Sequence, residues 1–305
     1  MFLVSVLCFL SFSVIRGDPA SIAAGTDATE QQMQSIREDM GLNRPLGIRY
    51  CEWLFNFLRG KPENSLRFRT ETISSLISAR LPVSFSLALL SLFFILLIAI
   101  PVCLLTVKKE RSLPDRIVNF LTAAGISIPG FYLGLLFIFI FGFIFNLFIP
   151  GGYVDYRESF SGFISCLVFP SLAIAIPNAA VLIKFLRGSL FQELKSDYVR
   201  TARSKGLSRL YILKHHILKN ALIPAITMLG MIIAEVFSGS IIIEQVFSIP
   251  GIGRLLITAI SSRDYPLIQA LLVLIAFIVV IANTLSDITI MAIDPRIGTS
   301  NTEIK

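Results

Sequence analysis

The sequence predicts an all-α integral membrane protein with six transmembrane helices, the first of them short. Three observations carry that prediction. Hydrophobic residues make up 54% of the 305 residues and charged ones 15%, against the roughly 25% charge of soluble domains. Several apolar runs reach the ~20 residues that a bilayer crossing needs. Lys and Arg cluster in short loops beside those runs, as they do on the cytoplasmic side of membrane proteins. The same clustering accounts for the net charge of +7, so no nucleic-acid partner is expected. The four cysteines, Cys8, Cys51, Cys103 and Cys166, form no CxxC pair, and three sit in apolar segments. Neither a disulfide framework nor a zinc site is indicated.

Residues 1–16 begin MFLVSVLCFLSFSVI, apolar but short of a full crossing. No Lys or Arg precedes the run, as the n-region of a signal peptide requires. It therefore reads as a first span whose N-terminal part is missing. Residues 17–80 are polar, with bases and acids nearly balanced, and suit the outer face. Within them CEWLFNFLRG, Cys51 to Gly60, needs a surface to cover Trp53, Leu54, Phe55, Phe57 and Leu58. The segment is expected to be a small extracytoplasmic insertion.

The remainder, 81–305, carries five further spans. The second covers about 81–107 and is followed by the basic KKER, Lys108 to Arg111. The third, about 117–149, is too long for one straight crossing. Pro129 and Gly130 interrupt it, so a kink or break is expected there. Gly130 and Gly134 form a GxxxG, which permits close helix packing. The fourth span, about 164–183, contains Pro170, Pro177 and Asn178. The fifth is about 223–247, with Pro224 marking its start, and the sixth about 266–286. Both termini are then expected on the cytoplasmic side.

Between spans four and five lies a basic loop, 184–222. From Lys184 to Lys219 it has nine Lys and Arg against two acids, Glu193 and Asp197. Leu190, Leu194, Tyr198 and Thr201 share an arc of roughly 80° on a helix expected to run to Lys205. Gly206 stops that helix, and Ser208 can N-cap a second one. Such an element can grip lipid head groups or dock a protein, and the residues alone leave both open.

Reactive constellations are missing. There is no GxxxxGK[ST] phosphate loop, no GxSxG and no HExxH. His215 and His216 are adjacent, point about 100° apart on a helix, and cannot share a metal face. No catalytic residue, cofactor or metal is expected. Spans two, three, four and six hold no ionisable residue in their apolar cores. In span five, Glu244 is expected near water at the outer end, and Glu235 near the midplane. A charge at that depth costs about 2.5–3.5 kcal/mol, so Glu235 should face protein or a wet cavity. It is either a polar group in a translocation path or a hydrogen-bonding group between helices. One such acid is too few for an ion-driven transporter or channel working alone.

In order along the chain stand GDPA at Gly17, GLNRPL at Gly41, RLPVSFSLALLS from Arg80, SIPGFYLG from Ser127, YVRTARSKGLS from Tyr198, KNALIP from Lys219, EQVFSIPGIGRLL from Glu244, RDYPLIQA from Arg263 and DPRIG from Asp294. This ordered set resembles the first-permease subunits of bacterial ABC importers of the dipeptide, oligopeptide and nickel family, and it covers almost the whole chain. The resemblance implies a subunit of the bacterial inner membrane that provides half of a translocation path for peptides, or alternatively nickel or another small solute. It implies four kinds of neighbour: a second homologous permease, two ATP-binding ATPase subunits, an extracytoplasmic substrate-binding protein and membrane lipid. ATP would be bound and hydrolysed by the partners, not by this chain. The coupling loop that sits in the ATPase cleft would comprise Tyr198, Arg200, Thr201, Ala202, Arg203, Lys205, Gly206, Leu207 and Ser208. Arg200 and Thr201 stand where the general motif of such loops has Glu and Ala, and Lys219 where it has a closing Pro. KPENS, Lys61 to Ser65, replaces a Gly-containing turn in the outer segment.

Overall fold

The computed structural model describes residues 2–14, 29–39, 41, 43–60, 64–68, 71–106 and 112–293. Among these residues the regular elements are all helices, apart from one isolated bridge between Asn64 and Thr72. GDPA, KKER, DPRIG and most of KPENS lie outside the described residues, as does the tail from 294 onward.

In chain order the helices are α1 (Phe2–Val14), α2 (Glu30–Asp39), α3 (Leu46–Leu58), α4 (Ile73–Thr106), α5 (Leu113–Ser127), α6 (Gly130–Phe137), α7 (Phe160–Leu194), α8 (Asp197–Ser204), α9 (Arg209–Ile212), α10 (Leu218–Val246), α11 (Ile252–Ser261) and α12 (Tyr265–Ile293). Four of them, α4, α7, α10 and α12, are long and apolar enough to cross a membrane. A fifth crossing is available if α5 and α6 count as one broken span. α1 has 13 residues, a length of about 20 Å, well short of a ~30 Å hydrocarbon core.

The chain divides into two compact units, Met1–Phe85 with Ile249–Val280, and Ser86–Ser248 with Ile281–Lys305. In the first unit, Trp53 of α3 is buried against Phe9 of α1, with ring centroids 5.8 Å apart. Val273 of α12 joins them, and Tyr50, Leu54 and Phe57 pack around the cluster. The demand for cover is met for Trp53 but not for Phe55 and Leu58, which stay exposed. A second tie holds the polar segment down. The buried carboxylate of Asp264 accepts hydrogen bonds from the Ser65 hydroxyl and from the Arg67 amide at 3.2 Å. Its other oxygen caps α12 by accepting from the Leu267 amide at 3.3 Å. α11, which the sequence reading passed over as a connection, buries Ile252, Leu255, Leu256 and Ala259. That i, i+3, i+4, i+7 spacing is one apolar helix face. The Ser84 hydroxyl of α4 accepts from its first amide, Ile252 N, at 2.8 Å.

In the second unit the expected break at Pro129 is sharp: α5 and α6 meet at 97°. Proline crowds the residue before it out of the helical region, and Ile128 is extended at φ −93°, ψ 119°. The two glycines of the GxxxG then let α6 come close to its neighbours. A Cβ on Gly130 would lie 3.1 Å from the Ala173 carbonyl oxygen of α7, and one on Gly134 would lie 3.0 Å from the Phe247 ring. α6 continues as a π-helical stretch, Ile138–Ile144, whose Phe141 stacks on Phe169 of α7 at 5.1 Å. α7, with 35 residues, is about 52 Å long. It begins before 164 and runs well past 183, absorbing the first eleven residues of the basic loop.

Candidate functional site

The end of α7 corrects the sequence reading of the loop. The single helix expected to carry Leu190, Leu194, Tyr198 and Thr201 to Lys205 is broken in two. Lys195 is the C-cap of α7, and Ser196 is extended at φ −69°, ψ 152°. The Ser196 hydroxyl donates to the Glu193 carbonyl at 2.6 Å, occupying a carbonyl that a continuing helix would use. Serine side chains compete with helical backbone bonds in this way. Eight-residue α8 therefore stands as a separate helix, with Asp197 in its first turn and Arg203 in its last. That charge order suits the helix dipole.

α8 buries one edge only. Val199 and Ala202 are 1% and 9% exposed, while Arg200, Thr201, Arg203, Lys205, Gly206, Leu207 and Ser208 all face outward. Arg200 approaches Asp197 at 3.8 Å, but both side chains are over four-fifths exposed, so the pair adds little stability. The outward face is thus a small, cation-rich platform. Gly206 closes it with φ +80°, a left-handed conformation that favours glycine. Ser208 caps the next helix as expected, accepting from the Tyr211 amide at 3.3 Å. That helix is not independent, however. α9 passes through a π turn, Leu213–Ile217, directly into α10. Pro224 accordingly lies inside α10 and does not begin it.

Tyr198 is the mechanical centre of the segment. Its hydroxyl donates to the Glu193 carboxylate in the last turn of α7 and accepts from Asn220 Nδ2 at 3.3 Å in the first turn of α10. One phenol thereby ties the platform to both membrane-crossing helices that flank it. Desolvation, and then the neighbouring Glu193, raise the Tyr198 pKa above its ordinary value, so the donor form persists throughout physiological pH. Glu193 and Asn220 were not singled out from sequence, because they matter only once α7 is seen to stop at Leu194. The two histidines sit in the π turn, both exposed, with His215 stacked on Tyr211 at 4.3 Å.

α10 carries the second feature. Thr227, Met231, Glu235, Ser238, Ile242 and Gln245 are exposed and fall within an arc of about 80°. Four of the six are polar. Glu235 lies about 22 Å from Asn220 and about 17 Å from Val246 along the helix, close to mid-membrane. The exposed face of α4 is different: Phe85, Leu89, Phe93, Leu97 and Ile100 offer only hydrocarbon. A lipid-facing stripe can look like α4 but not like α10, whose acid and amide need water or protein beside them. Sequence reasoning found Glu235 alone. Its companions Ser238, at i+3, and Gln245, at i+10, are visible only when the helix phase is known. Glu244 was expected near water and is instead fully buried, because it points well away from the exposed arc.

The structure adds a buried ion pair that the sequence reading did not single out. Asp115 of α5 and Arg187 of α7 lie just outside the apolar cores drawn from sequence, yet both are 5% exposed and form an ion pair. Arg187 Nη1 also donates to Asn119 Oδ1 at 2.9 Å. The helices extend beyond the apolar runs and enclose them.

Long membrane-crossing helices and a broken span make this a polytopic membrane protein. Comparison with known families agrees. Residues 99–299 match the binding-protein-dependent transport system inner membrane component, and residues 1–88 match the N-terminal region of such components. The chain belongs to this family, and it is a multi-pass protein of the inner membrane. It is 36% identical over 297 residues to a probable peptide ABC transporter permease, y4tP, of Sinorhizobium fredii, covering 97% of this chain and 95% of that one. It is 34% identical over 296 residues to the oligopeptide transport system permease AppB of Bacillus subtilis, covering 96% and 94%. Among solved structures, an inward-facing MetNI methionine ABC transporter is similar at a TM-score of 0.57 and 17% identity, over 72% of this chain and 96% of that one. At that identity the likeness concerns the fold.

Proposed function

We propose that this chain is the membrane-spanning permease of an ATP-driven peptide importer, with α8 as its ATPase-docking element and the α10 stripe as one wall of the path. The observation that carries the reading is the Tyr198 tie, which joins an exposed platform to α7 and α10 at once. An ATPase that grips α8 through Arg200, Arg203 and Lys205 displaces the platform as it closes on ATP. The hydrogen bonds to Glu193 and Asn220 pass that displacement to the ends of both helices. α10 then changes the side on which Glu235, Ser238 and Gln245 meet water. A second permease completes the path, and a binding protein delivers the substrate from the opposite face. The basic excess around α8 supports a cytoplasmic position for that element, and in this reading both termini share that side. Hydrolysis belongs to two partner ATPases, so the chain itself needs no cofactor. The peptide assignment is supported by the names of the full-length relatives.

Purification with its partner subunits tests the docking. Deletion of Tyr198–Ser208 should abolish copurification of the ATPase and uptake of labelled peptide. Retention of both would refute the role given to α8.

A further inference from the structure

We propose that the cavity between α5 and α7 holds the phosphate of an anionic phospholipid headgroup, in the leaflet on the α8 side. The proposal rests on the membrane placement of these helices and not on the importer reading. The cavity has a volume of about 410 Å³, within the ~300–1,000 Å³ typical of ligand sites. Asp115, Asn119, Thr122, Lys184 and Arg187 line its polar part. Arg187 is 95% enclosed, spends Nη2 on Asp115 and Nη1 on Asn119, and keeps a buried Nε–H without a partner. Lys184, three residues earlier on α7, is exposed and makes no ion pair among the described residues. One carboxylate faces two cations, so the lining carries a net charge of +1. It calls for one anionic group.

The depth and the walls identify the anion. Lys184 and Arg187 lie about 2 and 6 Å past Ile183, the end of the apolar stretch of α7, where lipid phosphates sit. α5 and α7 run antiparallel: Asp115 pairs with Arg187, while a Cβ on Gly125 would stand 2.9 Å from Ala180, deeper in the bilayer. The cavity wall therefore grades from charge at Arg187 to hydrocarbon at Ile126. A free phosphate uses only the first part of that wall. A lipid uses both, and basic pockets between transmembrane helices are known to take anionic headgroups. The mouth is open at Gly188, where an added Cβ would meet nothing within 4 Å.

The test uses the intact complex in neutral detergent, followed by thermal unfolding and by lipid retention in native mass spectrometry. Phosphatidylglycerol should raise the melting temperature saturably, whereas phosphatidylcholine and sodium phosphate should not. Lys184→Ala should weaken phosphatidylglycerol about five-fold, the worth of one basic residue beside an anionic headgroup. Gly188→Leu should block binding with all charges and the Asp115–Arg187 pair in place. Equal effects of phosphatidylcholine, a matching effect of sodium phosphate, or wild-type phosphatidylglycerol binding in both variants would each overturn the proposal.

Discussion

Replacing Tyr198 by Phe removes one oxygen and two hydrogen bonds while leaving the ring in place. One of those bonds goes to a carboxylate, a type worth about 1.5–3 kcal/mol when shielded. Tyr198 is 36% exposed, so solvent competes for both partners and roughly 1 kcal/mol is a better figure. Such a loss need not unfold anything, since Val199 and Ala202 still bury the inner edge of α8. It should loosen the connection between platform and helices. The assay is reconstituted complex in liposomes, measuring peptide uptake and ATP hydrolysis together. Binding of the ATPase should stay intact, hydrolysis should continue, and peptide moved per ATP should fall about five-fold. The pH dependence has a definite sign. The Tyr198 pKa is raised above the ordinary tyrosine value, first by desolvation and then by Glu193. Its contribution is therefore complete below pH ~10 and is lost only as pH rises through the elevated value. Across the neutral range, the mutant and the wild type should differ by a constant factor. A ratio that varies strongly between pH 6 and 8, or unchanged coupling in Tyr198→Phe, would refute the tie.

Other expectations follow from the same structure. Asp264→Ala leaves the Ser65 hydroxyl and the Arg67 and Leu267 amides without their acceptor. About 2–4 kcal/mol of stability should disappear, read as a lower melting temperature and faster proteolysis of the segment around Ser65. Gly206→Ala forces a side chain into φ +80°, at a cost of about 1–2 kcal/mol, and should reduce uptake more than it reduces complex assembly. Glu235→Gln keeps the shape of the stripe and removes its charge. Peptide uptake should change with subunit stoichiometry unaltered, and unchanged transport would instead assign Glu235 to helix packing.

Much of the scaffold is legible in the residues, because apolar length and proline are local signals. α4, α7, α10 and α12 follow from hydrocarbon runs, and the break before Gly130 follows from the steric demand of Pro129 on Ile128. The Trp53 cluster was foreseeable as a need, though its partner Phe9 lies far away in sequence and was not. What escaped depends on side chains meeting across distance or on the exact helix phase. The stop at Lys195 coincides with a serine hydroxyl reaching back to the Glu193 carbonyl, a local competition that hydrophobic periodicity does not register. Asp115 and Arg187 lie outside the apolar runs, and only the extended length of α5 and α7 encloses them. The α10 stripe was reduced to Glu235, since Ser238 and Gln245 are unremarkable until they are placed on the same face.

The most direct measurement of the account is thiol labelling at position 238 in the complete complex, with the four native cysteines replaced. Ser238→Cys should react with a water-soluble maleimide in intact membranes, and its rate should change when the ATPases bind ATP. The same substitution at buried Val236 should stay silent throughout. A stripe that labels no faster than Val236, or that labels at one rate with and without nucleotide, would contradict the claim that α8 drives a water-lined face of α10.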